Sequence, residues 1–375
     1  MRAFNCDHCG HLVFFDSVHC VHCGSKLAFV PELLRMVALR PARPMDAAAP
    51  ALQHWQALAP TADMAAPARC WRMCANQALH QACNFSVHED DPQALCLACR
   101  QTRWLPDLQD SAHLRRWRLM EDAKRQLFYT LARLRLTVLD GVPSPAYEFL
   151  ADQPGQPPVI TGHSHGTIVL NVAEADEDER TRRRLALHEP YRTLEGHLRH
   201  ESGHFFWELL VRANAQVLER FRQLFGDERQ DYAQALERHY VQGPAGPADW
   251  HSQHVSAYAS AHPWEDWAET WAHYLHLVDL LETAASFGTS VTIPGQAQPQ
   301  AVHDPFTPPW DQFDAMLQAW VPLTLLLNSL NRSLGQQDAY PFALSSGAMT
   351  KLRFVHELLA AHRRALPAQP VDVSA

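Results

Sequence analysis

The chain has 375 residues, 47% of them hydrophobic, which is enough for a full core and, by length, for about two or three domains. Its 32 basic and 41 acidic side chains give a formal net charge of −9, which argues against a general binder of nucleic acid or anionic membranes. No apolar run approaches the ~20 residues of a membrane helix, and the first residues lack the apolar stretch of a signal peptide. We therefore expect a soluble cytoplasmic protein that does not associate with membranes.

The chain begins with two closely spaced cysteine pairs. Residues 6–10 and 20–24 both have the pattern CxxCG, and ten residues lie between Cys9 and Cys20. Two residues between the cysteines let both thiolates face one metal, and the following glycine lets the backbone fold around the sulfurs. The spacing predicts a structural zinc ribbon over residues 1–30. Its ligands are Cys6, Cys9, Cys20 and Cys23.

A second group of cysteines follows a segment rich in Ala and Pro. The composition of residues 31–69 is typical of a linker, and residues 70–106 form the second cysteine-rich module. All nine cysteines lie before residue 100 in a chain without an export signal, which favours metal ligands over disulfides. Cys70 is a spare thiol or a substitute for Cys74. The expected ligands of a second structural zinc are Cys74, Cys83, Cys96 and Cys99.

The rest of the chain has mainly helical periodicity. Apolar residues recur at spacings of three or four after Ser111, with Lys124 as the one polar gap. The β-branched segment Gly166–Val172 predicts a buried strand. Further helices are predicted over Thr193–Arg212 and from Pro263 to about Leu281, and two or three more complete the chain. We expect an α+β, mainly α protein, with a largely helical domain over 107–290 and a helical extension over 291–375.

His200-Glu201-Ser202-Gly203-His204 matches the pattern HExxH. On a helix, residues four apart share a face, so the two imidazoles can bind one zinc while Glu201 lies beside them. Zinc lowers the pKa of bound water toward ~7, and Glu201 can accept the proton as that water attacks a carbonyl. His197, one turn earlier, is expected to lie beside the metal site or in solvent rather than to bind the metal.

A third protein ligand is required, and the sequence leaves its identity open. The longer HExxHxxGxxH motif is absent, because Trp207 and Leu210 occupy the required Gly and His positions. The later segment Glu265–Glu269 offers two glutamates four residues apart. One can bind zinc while the other accepts the N–H of a liganding histidine. Gly203 inside the first helix indicates close approach of another group near the metal.

These motifs resemble those of bacterial zinc-binding metallopeptidases with an N-terminal zinc-ribbon domain. The similar stretches cover nearly the whole chain. They are Cys6–Cys23, Cys74–Asn76 with Cys83-Asn84, Glu189–Thr193, His200–His204, Tyr258–Tyr274 and Tyr340–Phe342.

The segment Glu-Asp-Trp-Ala-Glu is also similar to the third-ligand helix of the glutamate-zincin peptidases. That resemblance implies Glu265 as the zinc ligand and Glu269 as the acid hydrogen-bonded to a liganding histidine, with the reverse as the alternative. It further implies that Tyr258 stabilises the oxyanion, although Tyr258 could equally be a packed aromatic residue.

We therefore expect a zinc metallopeptidase with one catalytic and one or two structural zinc ions, acting on a peptide or protein substrate. The strand at 167–172 could pair with an extended substrate, and the cysteine-rich domain could bind a protein partner or cover the cleft. The alternative is a non-catalytic zinc-stabilised scaffold with a degenerate peptidase site. A nucleic-acid-binding ribbon is disfavoured, because residues 1–30 carry two basic and two acidic side chains.

Overall fold

The computed structural model describes residues 2–42, 53–58, 70–187, 193–242, 250–293, 295, 298–309 and 312–367. Of the stretches that carried the resemblance, residues 189–192 lie outside these ranges. The protein is mainly helical with a β-rich N-terminal part, which confirms the predicted fold class.

The N-terminal part is built from short strands and one short helix. They are β1 (Phe4–Asn5), β2 (Leu12–Val13), β3 (Lys26–Val30), β4 (Arg35–Pro41), β5 (His54–Ala57), β6 (Cys70–Met73), α1 (Ala75–His80), β7 (Ser86–His88) and β8 (Thr102–Trp104). Strands β1 and β2 form a hairpin, and β3 to β7 form an antiparallel sheet in chain order. A bridge between Phe29 and Phe85 brings β7 back to β3, so the sheet curls on itself.

Part of the segment predicted as a linker is sheet instead. Strands β4 and β5 both fall within residues 31–69, and they join the strand after the ribbon to the strands of the second cysteine module. The apolar residues Val37 and Leu39 on β4 are buried, so this strand contributes to a core that composition did not reveal. The stretches 43–52 and 59–69 of the predicted linker lie outside the described residues.

The larger C-terminal part is mostly helical. Its elements are α2 (Ser111–Arg133), β9 (Ala146–Leu150), β10 (Gly162–Ser164), β11 (Thr167–Asn171), α3 (Glu177–Leu187), α4 (Leu194–Trp207), α5 (Ala215–Phe225), α6 (Tyr232–Gln242), α7 (Trp250–Gln253), α8 (Pro263–Ser286), β12 (Ser290–Val291), β13 (Gln300–Ala301), α9 (Phe313–Ser333) and α10 (Ser346–Ala365). A π-helical turn, Glu208–Arg212, extends α4. No helix among the described residues combines the length and apolar character needed to cross a bilayer.

Helix α2 joins the two parts. It buries the predicted apolar stripe, and Lys124, the polar gap in that stripe, is buried as well. Its ammonium lies 2.9 Å from the carboxylate of Glu121, and both side chains are fully buried. The pairing explains how a lysine is tolerated inside an otherwise apolar face, since a buried charge requires a partner.

The predicted strand at 166–172 forms as β11, but it is not an edge strand. The sheet has the order β10-β11-β9-β8, with β11 parallel to β9 and antiparallel to β10. Both sides of β11 are therefore hydrogen-bonded, and the expectation that β11 itself pairs with substrate is wrong. The edge strand beside α4 is β10, which is too short and too polar to stand out in the sequence.

Helix α10 holds the start of α8 through a buried ion pair. Nζ of Lys351 lies 2.5 Å from Oδ2 of Asp266, and the two side chains are 6% and 1% exposed. The same ammonium donates a hydrogen bond of 2.8 Å to the carbonyl of Gln253 on α7. One lysine thus joins the C-terminal helix to two elements of the central part.

We predict that Lys351→Met lowers the free energy of unfolding by about 3–5 kcal/mol, because it leaves Asp266 buried without its partner. Urea denaturation of zinc-loaded protein measures this. The control is Arg353→Met on the same helix, which removes an exposed pair with Asp314 of α9 and should cost less than about 1 kcal/mol. Equal effects of the two substitutions would contradict the prediction.

Candidate functional site

The HExxH residues lie on α4, whose start is fixed by a capping interaction. The hydroxyl of Thr193 accepts a hydrogen bond of 3.0 Å from the backbone N–H of Gly196, as expected of an N-cap. Leu198 and Phe206 are fully buried on the side of the helix that faces the core. The rings of His200 and His204 lie one turn apart with their centroids separated by 5.0 Å.

Helix α8 crosses α4 at Gly203. A Cβ atom on that glycine would lie 3.0 Å from the Cα of Ala268, tighter than most contacts of this kind, so any larger residue would require α8 to shift. Nε1 of Trp267 donates a hydrogen bond of 2.8 Å to the carbonyl of Gly203. The close approach predicted from this glycine is therefore that of a second helix backbone, which carries Glu265 to the two histidines.

The two histidines and Glu265 converge on one point. Their ligand atoms all lie within 4.8 Å of one another, and each residue is buried or nearly so. Nε2 of His200 lies 3.0 Å from Oε2 of Glu265, and Nε2 of His204 lies 3.4 Å from Oε1. Oε1 of Glu269 instead lies 2.7 Å from Nδ1, the other ring nitrogen of His200. The geometry favours Glu265 over Glu269 as the third ligand.

The protonation states of these groups suit a divalent cation. Burial opposes the charge on Glu265, but His204, His200 and Tyr232 outweigh burial and lower the pKa of the carboxyl to about 2. Burial lowers the pKa of His204 to about 3, which keeps that imidazole neutral with a free electron pair. Two imidazole nitrogens and one carboxylate are a donor set that zinc prefers, so the residues fit the metal.

The surroundings of His200 also favour a positive charge at this centre. Burial alone would lower its pKa, but hydrogen bonds to Glu265 and Glu269 outweigh burial and raise it well above the usual value. A place that stabilises a proton between an imidazole and a carboxylate offers the same negative environment to a metal ion.

Glu201 and Tyr258 lie beside this centre in a cavity of about 830 Å³. Burial raises the pKa of Glu201 to about 7, and its side chain lines the cavity. The Tyr258 ring lies 5.9 Å from that of His200, centroid to centroid, and burial raises the pKa of its hydroxyl. The structure thus brings together the five residues predicted for the catalytic site. They are His200, Glu201, Tyr258, His204 and Glu265.

Three further residues at this centre were missed by sequence reasoning. The hydroxyl of Tyr232 donates a hydrogen bond of 2.8 Å to Oε1 of Glu265. The hydroxyl of Ser256 donates one of 2.7 Å to Oε2 of Glu269. The Trp264 ring stacks on His204 with centroids 3.9 Å apart. No spacing in the sequence links Tyr232 to α8, because it comes from a separate helix that only folding brings close.

His197 also lies at the cavity wall, as expected of a residue near the metal. Its Nδ1 lies 2.6 Å from Oε2 of Glu174, which is fully buried and also pairs with Arg183. The contact directs His197 toward the sheet, and it is not among the residues that converge on Glu265.

The two cysteine clusters form as predicted in number and membership. Cys6, Cys9, Cys20 and Cys23 make one group, and Cys74, Cys83, Cys96 and Cys99 make the other, each with sulfurs within 4.8 Å of one another. Gly10 and Gly24 have positive φ angles of 74° and 72°, the conformation for which glycine is suited after each ribbon pair. Cys70 lies on β6 outside the second group. Four thiolates at each position fit a closed, structural zinc site.

The cysteine-rich part lies away from the cavity, so the expectation that it covers the cleft is not supported. None of the residues lining the cavity among the described ones comes from the first 110 positions. Backbone N–H groups of Arg2 and Ala3 instead bond the side chains of Glu282 and Ser286, near the far end of α8. At 1.5 Å per residue, Glu282 lies about 26 Å along the helix from Glu265.

Comparisons with known proteins agree with this division. A family model described as "Putative zinc-binding metallo-peptidase" matches residues 113–358, and one described as a zinc-ribbon domain matches residues 3–110. Two proteins of Mycobacterium tuberculosis and one of Mycobacterium bovis, each described as an uncharacterized protein, are 38% identical over 362 residues. The alignment covers 96% of this chain and 95% of theirs. No solved structure matches the chain.

We predict three zinc ions per chain, one for each convergent ligand group. His204→Ala and Cys23→Ser should each bind one ion fewer, because each removes one of the ligands on which a separate site depends. Elemental analysis of the purified proteins measures the ratio. Unchanged zinc in the histidine variant would rule out a metal at the α4–α8 centre.

Proposed function

Because the chain belongs to the family of zinc-binding metallo-peptidases, we propose that it hydrolyses peptide bonds at the centre formed by α4 and α8. The observation that carries the proposal is the convergence of two imidazoles and a buried carboxylate beside a large cavity that His200 and Glu201 line. An open cavity of this size accommodates several substrate side chains, whereas a structural metal site does not need such a cavity.

Each residue has a separate role in this proposal. His200, His204 and Glu265 would hold zinc, which when bound supplies Lewis acidity that activates water and polarises a carbonyl. Glu201 accepts the proton of the attacking water and delivers it to the leaving amine. Glu269 accepts the Nδ1–H of His200 and so fixes the tautomer that leaves Nε2 free for the metal.

Tyr258 is the proposed donor to the oxygen of the scissile carbonyl. It belongs to a short 3₁₀ turn just before α8, and its ring packs near that of His200. Burial keeps its hydroxyl protonated at neutral pH, as a donor to a developing negative charge must be.

The substrate backbone is proposed to lie along β10. Among the described residues, this strand pairs only with β11, and His163 at its centre lies 6.1 Å from His204, ring to ring. An extended peptide can add to such an edge through main-chain hydrogen bonds, which gives affinity without demanding a particular sequence.

A second candidate function is a zinc-stabilised scaffold without turnover, and the cysteine-rich part favours it. Phe14 and Val21 on the ribbon are 58% and 89% exposed, and they lie on the part of the protein that does not line the cavity. Exposed apolar side chains on a rigid metal-held ribbon suit a protein partner rather than nucleic acid. The two functions are compatible in one chain, and the following substitution separates them.

We predict that Glu201→Gln lowers kcat/KM by about 10²–10⁴, because it removes the group that accepts the proton while leaving zinc in place. Zinc-loaded protein is incubated with a mixed peptide library and cleavage is followed by mass spectrometry. The control is Glu208→Gln, a partly exposed position just after α4 that does not line the cavity. Equal cleavage by Glu201→Gln and wild type, or none by wild type, would favour the scaffold.

We predict that Tyr258→Phe lowers kcat by about 10²–10³ with little change in KM or zinc content, since an oxyanion donor acts in the transition state. Steady-state kinetics on the best library peptide, with zinc analysis of the same sample, tests this. An unchanged kcat would make Tyr258 a packing residue.

A further inference from the structure

Tyr232 lies outside the motifs but contacts the proposed metal centre directly. It is the first residue of α6 and is 38% exposed, so part of its ring faces solvent. Its hydroxyl nevertheless reaches Oε1 of Glu265, a side chain only 1% exposed, at 2.8 Å. A half-exposed tyrosine thus supplies a hydrogen bond to a deeply buried carboxylate.

The hydrogen bond fixes the orientation of that carboxylate. Oε1 of Glu265 receives the Tyr232 hydroxyl, while Oε2 lies toward Nε2 of His200. The terminal torsion of a glutamate side chain is broad and roughly two-fold, so packing alone defines it poorly. A donor on Oε1, the oxygen that also lies 3.4 Å from Nε2 of His204, selects the rotation that turns Oε2 toward His200.

The ring of Tyr232 contacts the same centre by a second route. It packs edge-on against His262, the N-cap of α8, and against Trp264, with centroids 5.2 and 5.9 Å away. Trp264 in turn stacks on His204 at 3.9 Å. The contributions of the ring and of the hydroxyl can be measured separately, because Tyr232→Phe keeps the ring contacts and removes the hydrogen bond.

We propose that Tyr232 is a positioning residue for zinc, whose hydroxyl holds Glu265 in the orientation that binds the metal. This inference rests on the metal site of the proposed function but not on peptide hydrolysis. Residues that hydrogen-bond a metal ligand raise the affinity of the site for the metal, because they orient the ligand before the metal binds. Their loss typically lowers metal affinity ~10–100-fold.

The test is the zinc affinity of Tyr232→Phe, measured by competition with a chromogenic chelator. The wild type and the His204→Ala variant identify which of the bound ions belongs to this centre. We expect the dissociation constant for that ion to rise at least about 10-fold, with the cysteine-bound ions unaffected. A tyrosine that only packs would leave the affinity unchanged, because Phe retains the ring contacts.

The matched control is Tyr240→Phe. Tyr240 lies on the same helix, about 12 Å further along at 1.5 Å per residue, and its ring packs against His239. The zinc affinity of the Tyr240→Phe variant should equal that of the wild type. Wild-type affinity in Tyr232→Phe, or an equal loss in both variants, would overturn the inference. If wild type binds the third ion but cleaves no peptide, the proposed function fails while the role of Tyr232 is still decided by the affinities.

Discussion

The crossing of α4 and α8 at Gly203 is the contact on which the metal centre depends. Two histidines on one helix supply only half of a zinc site, and the missing carboxylate must come from elsewhere. The absence of a side chain at Gly203 lets the backbone of α8 approach until Ala268 is in contact, and Trp267 bonds the carbonyl of the glycine. A larger residue would move Glu265 away from the histidines, because the helices are rigid and close-packed.

Buried ion pairs along the same two helices extend this arrangement to the rest of the protein. Arg199, one residue before the HExxH motif, pairs with Asp279 on α8 at 2.6 Å. Asp266, one residue after Glu265, the proposed third ligand, pairs with Lys351 of the C-terminal helix. Charges of this kind are costly to bury unless paired, so each pair restricts how the helices can slide. The residues next to the metal ligands are therefore structural anchors for the ligands themselves.

The N-terminal cysteine-rich part has a separate location and, by inference, a separate task. Its five-stranded sheet runs from β3 to the second cysteine cluster and packs on α2, while the backbone of Arg2 and Ala3 bonds the far end of α8. The family matches divide at the start of α2, which is also where the structure changes from sheet to helix. The two cysteine clusters and the open cavity therefore belong to different parts of the chain, so the proposed partner binding and the proposed hydrolysis can be tested separately.

Local patterns in the sequence were sufficient for features whose partners lie close in the chain. Four such features depend on neighbours within a few residues, and each is found in the structure. They are the CxxCG pairs, the start of α4 at Thr193, the helical spacing of His200 and His204, and the proline that begins α8. The second cysteine cluster was predictable for the same reason, since its ligands fall within one short module.

Features that depend on contacts between distant segments were decided by the tertiary structure. Composition suggested a linker where β4 and β5 pair, because strand pairing is set by partners and not by the strand alone. The choice of Glu265 over Glu269 followed from which histidine nitrogen each one faces. Tyr232 had no signal at all, since its hydrogen bond spans 33 residues and two helices. The sequence determined which metal-binding residue types lie at helical spacing, because that depends on near neighbours. The packing of α6, α8 and α10 decided which side chains surround them, because those contacts join distant segments.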